Sequence, residues 1–287
     1  MGDITLRTAL QHSRNLVSAD IISRIGIDPV IKYAKLLGIE SKLGHNLSLS
    51  LGSSEVTMLE IARAYGVFAA KGVLFDSLFI TKVVDRKGQV LFDAAQDPVS
   101  RASQVISEDS AFIMANMMKG VVEHGTGFAV KPINRPVAGK TGTSNDQMDA
   151  WFIGYTPEWV TAVWGGFDIK KTIGPKETGG RVSAPTWLYF MHDYLNLLDE
   201  LNYAKLVEDT KAEAARLGTE YVPPEPLTPL DFSVPTGVEP FWVNKSTGRL
   251  SDSGDPNAIY EYFVRGTEPN SEGESAEANT YLDSPEL

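Results

Sequence analysis

Apolar residues recur at helical spacing near the start of the chain. Leu6, Ala9 and Leu10 lie three and four residues apart, which places them on one face of a helix. The pattern breaks at the polar residues 13–15 and resumes from 16 to 25. Two helices joined by a polar turn are therefore predicted in this region.

Start and stop signals mark two further helices. Asp28 and Pro29 are typical of a helix cap and a first-turn proline, and Gly38 is typical of a helix end. Thr57 and Glu60 have the spacing of a capping box, in which each side chain bonds the backbone N–H of the other. A helix is therefore predicted at each of these signals.

The next segments mix strands with a helix. Alternation at 79–84 and 89–92 predicts a β-hairpin. Ser107 is expected to cap a helix that ends at His124-Gly-Thr-Gly127. We interpret this last segment as a glycine-terminated helix end, in preference to an oxyanion loop.

Three strands and two helical stretches are predicted next. The strands cover 137–141, 150–155 and 159–167, and their short connections favour antiparallel neighbours. The helical stretches run from 183 to 198 and from about 201 to 217. An antiparallel sheet flanked by helices is an α+β architecture, which is the predicted fold class.

Composition divides the chain into four segments. Residues 1–221 hold the elements above and form the predicted main domain. Four prolines within 222–229 predict a linker, because proline cannot continue a helix. Residues 230–267 place aromatic residues between glycine and proline turns, which suggests a small β-rich extension. Residues 268–287 are acidic and poor in apolar residues, which predicts a disordered tail.

Charge and residue types exclude several functions. The 287 residues carry a net charge of −11, and six acidic residues in 268–287 supply −6 of it. A nucleic-acid partner is not expected, because such a protein presents a basic face. The chain has no cysteine, and its four histidines lack ligand spacing, so no metal site is predicted. No cofactor is implied.

The segment Lys140-Thr-Gly-Thr143 carries candidate chemistry. A lysine and two hydroxyls on an extended segment supply a positive charge and hydrogen-bond donors for a carboxylate. Gly142 leaves room for a ligand backbone to lie along the strand. The alternative for these residues is a solvated strand end without function.

The polar turn Ser13-Arg-Asn15 is the second candidate. Its serine offers a hydroxyl that can relay a proton, and its asparagine offers an amide that can bind a substrate amide. Serine and asparagine also form ordinary turns, and that alternative stays open for this motif taken singly. The two motifs together are more informative than either alone.

The chain resembles the transpeptidase domain of class A penicillin-binding proteins, nearest to the 1A type. The resemblance covers roughly residues 4–198 and rests on seven motifs in the family's order. Residues 247–269 are weakly similar to the family's C-terminal extension. The motifs are Thr5-Leu-Arg-Thr-Ala-Leu-x-x-Ser-Arg-Asn-Leu-Val17, Leu47-Ser-Leu-x-Leu-Gly52, Thr57-x-Leu-Glu-Ile-Ala-x-Ala-Tyr65, His124-Gly-Thr-Gly127, Gly139-Lys-Thr-Gly-Thr143, Asp149-Ala-Trp-Phe-x-Gly154 and Val163-Trp-Gly-Gly-Phe-Asp168.

The resemblance implies a penicillin-binding-protein and β-lactamase-like fold that performs serine acyl transfer. In the family, the serine of a Ser-x-x-Lys motif attacks the D-Ala-D-Ala bond of a peptidoglycan stem peptide. The amine of a neighbouring stem then resolves the acyl-enzyme into a cross-link, and β-lactams are caught at the acyl stage. Stem peptides and β-lactams are therefore the expected ligands. The expected location is the periplasmic, extracytoplasmic face of the bacterial inner membrane.

The resemblance also assigns roles to the first three site residues. Ser13 matches the hydroxyl that relays a proton toward the leaving amine. Asn15 matches the amide that positions the substrate backbone. Lys140 would keep the region around Ser13 electropositive. These three residues are the catalytic residues that we expect in this chain.

Three further residues are expected to bind substrate. The hydroxyl of Thr143 would hold the terminal carboxylate, and its backbone N–H would supply one oxyanion-hole donor. Thr141 is the strand neighbour of the lysine, and Gly142 would keep the strand edge open. Trp151 and Phe152 are expected to pack beneath the site.

One family motif has no match in the chain. No Ser-x-x-Lys occurs in the 287 residues. In the family this motif lies on a central buried helix that precedes the Ser-x-Asn turn, and a glycosyltransferase domain and membrane anchor come earlier still. We therefore expect a C-terminal part of such a protein, incomplete at its N-terminus and inactive by itself. A separate chain with the missing portion is a further expected partner.

Two other functions stay open at this point. The scaffold could serve as a catalytically silent interaction module that docks a partner chain. It could also belong to a soluble β-lactamase or D,D-carboxypeptidase of the same superfamily. The motif beginning at Thr5, the Asp149-Ala-Trp-Phe segment and the proline-rich linker fit the class A type better.

Overall fold

The computed structural model describes residues 4–96 and 102–270. They form two compact units, the first built from residues up to 116 with 158–160 and 233–270, and the second from 117–157 and 161–232. These units are defined by which residues lie close together in space, whereas the predicted boundaries at 221 and 229 were placed from changes in composition. The predicted segmentation stays a prediction, and residues 271–287 of the predicted tail lie outside the described residues.

Four helices of the first unit were predicted from the sequence. They are α1 (Leu6–Gln11), α2 (Asn15–Ile25), α3 (Ile27–Leu36) and α4 (Met58–Ala69). The predicted break between α1 and α2 is present, although Asn15 already belongs to α2. The predicted cap of α3 is wrong, because Gly26 occupies that position and Asp28 lies in the first turn. Gly26 is the single residue between α2 and α3, and its positive φ of 87° lets the chain turn there.

The capping box of α4 is confirmed, and it forms part of a larger polar network. The Thr57 side chain accepts from the Glu60 backbone, and Glu60 accepts in return from the Thr57 backbone at 2.8 Å. The same carboxylate also accepts the backbone N–H groups of Glu40 and Ser41. Because the Glu60 side chain is buried, it fastens the loop before α4 to the start of the helix.

Short antiparallel pairs complete the first unit. The predicted hairpin is present as β2 (Lys82–Val84) and β3 (Val90–Asp93), and β1 (Val73–Phe75) pairs with β4 (Ala102–Gln104). The aromatic segment near the C-terminus forms β8 (Val238–Asn244) and β9 (Ala258–Val264).

An ion pair joins the strand pair β8–β9 to helix α1 of the first unit. Arg7 on α1 forms an ion pair with Glu261 of β9 and also donates to the Asn116 carbonyl at 2.9 Å. Both charged side chains of the ion pair are about 85% removed from solvent, with exposures of 15% and 14%. This contact helps to hold α1, a helix of only six residues that is too short to be stable alone.

The second unit contains the predicted three-stranded sheet. The strands are β5 (Ala138–Thr143), β6 (Ala150–Tyr155) and β7 (Val160–Gly165), in the spatial order β5-β6-β7, and β5 pairs antiparallel with β6. Helix α5 (Glu108–His124) precedes the sheet, and the division between the units falls within it. Ser107 caps α5 as predicted, because its hydroxyl accepts the Ser110 backbone N–H at 3.1 Å.

One long helix ends the second unit. Helix α6 runs unbroken through 35 residues, from Ser183 to Leu217, so the prediction of two separate helical stretches is wrong. No glycine or proline lies between Pro185 and Gly218, and the polar pair Asp199-Glu200 does not interrupt a helix. Instead Asp199 forms an ion pair with Arg135.

The core of the second unit lies between the sheet and α6. The fully buried rings of Phe152 and Trp187 meet edge to face, with centroids 5.5 Å apart. Trp187 Nε1 donates to the Thr161 carbonyl at 3.0 Å, which satisfies its polar atom. The α+β fold class is therefore confirmed. Among the described residues, no helix combines the length and hydropathy needed to cross a membrane.

Candidate functional site

The segment Lys140-Thr-Gly-Thr143 forms the second half of β5. In the register with β6, Lys140 lies opposite Ile153 and Thr143 lies opposite Ala150. Strand β5 ends the sheet, so within the described part of the chain only one of its edges is paired. Strand alternation places Thr141 and Thr143 on one face and Lys140 on the other. A ligand that lies along the open edge can be reached both by the two threonines and by the lysine.

Lys140 supplies the positive charge at this strand. Its side chain is half-buried, and its Nζ donates to the Thr141 carbonyl at 2.9 Å. Removal from water disfavours the charged ammonium and lowers the pKa of Lys140 to about 8. The lysine is therefore charged at neutral pH and loses its charge in the mildly alkaline range.

The two threonine hydroxyls of β5 are held by residues that the sequence analysis did not assign. Thr141 Oγ1 and Thr126 Oγ1 lie 2.6 Å apart and share a hydrogen bond. The Gly179 backbone N–H donates to Thr143 Oγ1 at 3.1 Å. Because Thr143 Oγ1 accepts from the backbone, its own O–H is directed away from Gly179. Thr126 lies in the predicted helix end, and Gly179 lies in a Gly-Gly pair, a sequence that is typical of turns.

Two glycines let a turn lie directly against this part of the sheet. A Cβ at Gly179 would stand 2.2 Å from the Trp151 carbonyl oxygen and 2.5 Å from that of Gly142. A Cβ at Gly180 would stand 2.5 Å from the Thr126 carbonyl oxygen. No side chain fits at either position, so the turn packs backbone against backbone.

Gly142 has a reason of its own to be glycine. A Cβ at this position would lie 3.2 Å from Cβ of Trp151, its partner in β6. This spacing is tight, although a small shift would relieve it. That a ligand backbone passes over Gly142 stays a prediction. Phe152 is fully buried, whereas Trp151 is half-buried and its ring lies 6.2 Å from that of Trp164.

The predicted Ser-x-Asn turn has an unusual backbone. Ser13 follows the C-cap of α1 with a φ of 50°, in the left-handed region. The Ser13 N–H donates to the Leu10 carbonyl at 3.1 Å and the Arg14 N–H donates to the Ala9 carbonyl at 2.9 Å. These two bonds define a Schellman motif, whose left-handed position usually holds glycine. A serine there costs roughly 1 kcal/mol of backbone strain, which is typical of functional positions.

The six predicted site residues fall into two groups. Ser13 and Asn15 are exposed and belong to the first unit, and Lys140, Thr141, Gly142 and Thr143 are consecutive residues of the second. Each group has the local geometry described above. The catalytic and substrate-binding roles of both groups stay predictions.

Comparison with known proteins gives one family throughout. Residues 1–191 match the family model described as the penicillin binding protein transpeptidase domain. The chain is 38% identical over 190 residues to penicillin-binding protein 1A of Aquifex aeolicus, covering 66% of the chain and 26% of that relative. It is 31% identical over 322 residues to penicillin-binding protein 1A of Pseudomonas aeruginosa, covering 96% of the chain and 36% of that relative. The chain thus spans between about a quarter and just over a third of these relatives.

Solved structures agree with the sequence matches. The crystal structure of penicillin-binding protein 1A from Haemophilus influenzae superposes with a TM-score of 0.77 at 25% identity, covering 93% of the chain and 41% of that protein. The structure of PonA1 from Mycobacterium tuberculosis in complex with penicillin V gives a TM-score of 0.59 at 27% identity. That match covers 67% of the chain and 56% of PonA1.

Proposed function

The chain belongs to the penicillin-binding protein transpeptidase family, and on this premise we propose that the open edge of β5 binds the terminal carboxylate of a peptidoglycan stem peptide. The observation that carries the proposal is the order of residues along this edge strand, where Thr141 and Thr143 follow the half-buried Lys140 and lie on the opposite face of β5. Hydroxyl donors and one cation in a partly desolvated place are suited to a carboxylate, because charge-assisted hydrogen bonds are the strong ones.

The reaction that this edge serves is serine acyl transfer. The nucleophile's Oγ bonds to the carbonyl carbon between the two D-alanines, the C–N bond to the terminal D-alanine breaks, and the nucleophile's proton ends on the leaving amine. The amine nitrogen of a second stem then bonds to the same carbonyl carbon, the bond from that carbon to the serine Oγ breaks, and one amine proton returns to the Oγ, which forms the cross-link. In this proposal Ser13 relays the proton and Asn15 holds the substrate backbone.

The attacking serine comes from outside these 287 residues in our proposal. The chain contains no Ser-x-x-Lys sequence, and Ser13 lies in a Ser-x-Asn turn that fits proton relay better than attack. This part of the protein therefore recognises the substrate, and a serine of a further segment attacks it and becomes acylated. Peptidoglycan lies outside the cytoplasmic membrane, so the activity requires an extracytoplasmic location.

β-Lactams are proposed as ligands of the same edge. PonA1, which shares this fold, has been solved in complex with penicillin V. Penicillins carry a carboxylate beside their reactive amide, so the donors that suit the stem peptide also suit the drug. A silent interaction module is the competing function, and the following experiment separates the two.

The chain should distinguish a carboxylate from an amide. We expect N,N′-diacetyl-L-Lys-D-Ala-D-Ala to bind at least about 10-fold more tightly than its C-terminal carboxamide, because only the acid accepts charge-assisted hydrogen bonds. The preference should fall as pH rises through about 8, where Lys140 loses its charge. Amide chemical shifts of Gly142 and Thr143, followed by NMR during titration, measure both affinities.

A matched pair of threonine variants controls this experiment. Thr143→Val removes the proposed hydroxyl and should abolish the preference, whereas Thr219→Val removes an exposed hydroxyl beyond α6 and should leave it unchanged. Equal binding of acid and amide by the unmodified chain would contradict the proposed recognition. It would favour the interaction module instead.

The chain alone should not react covalently with a penicillin. We expect no labelling by a fluorescent penicillin in denaturing gel electrophoresis, because the sequence contains no Ser-x-x-Lys motif to supply the serine that becomes acylated. Intact-mass spectrometry checks the same result without a dye. A stable acyl adduct, mapped by peptide sequencing to any serine of this chain, would show that the nucleophile is present after all.

A further inference from the structure

The hydroxyls around β5 can be counted as donors. Thr126 and Thr141 share one hydrogen bond at 2.6 Å, so two hydroxyl hydrogens serve one bond and one hydrogen is left over. Thr143 Oγ1 accepts from the Gly179 N–H and keeps its own hydrogen. The three threonines therefore present two O–H donors. This number equals the number of oxygens in one carboxylate.

The positions of Thr126 and Thr141 are fixed by their surroundings. The Thr141 methyl group lies 3.8 Å from the place where a Cβ of Gly180 would stand, so the methyl faces the turn and the hydroxyl faces Thr126. The loop that carries Thr126 is tied to α5, because the N–H groups of Gly125 and Gly127 both donate to the Val121 carbonyl, at 3.1 and 3.0 Å. A hydroxyl held in this way is preorganised for a ligand.

We propose that Thr126 is a positioning residue of the carboxylate site, donating its hydroxyl hydrogen to Thr141 so that the Thr141 hydrogen is directed at the ligand. The inference rests on the proposed function, because it assumes that the β5 edge binds a carboxylate. Thr126 is exposed, whereas Thr141 is half-buried. Without the Thr126 hydroxyl, the Thr141 hydroxyl can turn toward water and lose its alignment.

A purely structural hydrogen bond is the simpler explanation of the same contact. It predicts that loss of the Thr126 hydroxyl lowers stability and changes the binding of all ligands equally. The positioning role predicts a selective loss for the carboxylate ligand. The two explanations therefore differ in the ratio of two affinities, which does not depend on the fraction of folded protein.

The experiment uses the 287-residue chain with the acid and carboxamide forms of N,N′-diacetyl-L-Lys-D-Ala-D-Ala. We expect Thr126→Val, which keeps the shape and removes the hydroxyl, to reduce the acid-over-amide preference about 5-fold to 10-fold. Thr126→Ser keeps the hydroxyl and should retain the preference within about twofold. Thermal unfolding by circular dichroism checks that both variants are folded, as expected for an exposed position.

Three results would overturn the inference, and they differ in what else they affect. An unchanged preference in Thr126→Val, together with a lost preference in Thr143→Val, excludes Thr126 and leaves the proposed function standing. An equal loss of acid and amide affinity in Thr126→Val assigns the contact to structure alone. If the unmodified chain shows no preference, the proposed function fails and the role of Thr126 fails with it.

Discussion

Replacing Gly179 by alanine is expected to lower the free energy of unfolding by at least about 3 kcal/mol, because the new methyl group would overlap the backbone. The added Cβ would stand 2.2 and 2.5 Å from the carbonyl oxygens of Trp151 and Gly142, which belong to two paired strands. Both oxygens belong to the backbone of paired strands, so neither can move as freely as a side chain can. The turn would have to withdraw, and the Gly179 N–H would lose its bond to Thr143 Oγ1.

The same substitution elsewhere should have the opposite sign. Gly66 lies within α4, and a Cβ there would meet only a Val160 methyl group at an ordinary 3.8 Å. Gly66→Ala should therefore stabilise the protein by roughly 0.5 to 1 kcal/mol, the difference in helix propensity. Urea unfolding followed by circular dichroism and tryptophan fluorescence measures both variants. A Gly179→Ala protein as stable as the parent would mean that the turn does not pack against β5 and β6.

Replacing Glu60 by glutamine should lower the free energy of unfolding by about 2 to 4 kcal/mol at neutral pH. The buried carboxylate accepts several hydrogen bonds with two oxygens, whereas the glutamine amide has one accepting oxygen and one donating NH₂ group. Glu60 accepts from the backbone N–H groups of Glu40, Ser41 and Thr57, at 2.8, 2.6 and 2.8 Å. The hydroxyls of Ser41 and Thr57 bind it as well. The amide nitrogen of glutamine would face these donors and leave some of them without an acceptor.

The difference between Glu60 and glutamine should depend on pH in a defined window. Hydrogen bonds from Thr57 and Ser41 lower the pKa of Glu60 from 4.5 to about 2 in the folded protein. The stabilisation by the carboxylate is therefore complete above about pH 4.5 and is lost as pH falls toward 2. The exposed Glu200 on α6 supplies the control, since Glu200→Gln should leave stability unchanged within about 0.5 kcal/mol. A constant difference from pH 7 to pH 2 would contradict the role assigned to the carboxylate.

The sequence predicted the strands of the second unit well because their pattern is local. The predicted limits of β6, 150 and 155, are the observed ones, since a continuous apolar run begins after Asp149 and ends at the turn Thr156-Pro-Glu158. Helix α6 was predicted in two pieces because Asp199-Glu200 interrupts the apolar pattern. Polar residues do not end a helix whose backbone hydrogen bonds continue past them. The carboxylate of Asp199 also forms an ion pair with Arg135, which is distant in sequence.

The candidate site was only partly predictable for a similar reason. Lys140 to Thr143 are consecutive residues, so the sequence alone predicts that they share one strand. Thr126 precedes its partner Thr141 by 15 residues, and Gly179 follows its partner Thr143 by 36. These contacts form only when the chain folds. No local spacing rule links a helix end or a glycine pair to a particular strand.

Ser13, whose backbone lies in the left-handed region, has a consequence for selection on this gene. Glycine at that position would relieve the strain of the Schellman turn, because it has no Cβ. In a lineage released from catalysis, random drift would therefore replace the serine without loss of folding. A lineage that still needs the hydroxyl would resist this drift, and so the residue found at position 13 in descendants of this gene records whether selection on the reaction has persisted.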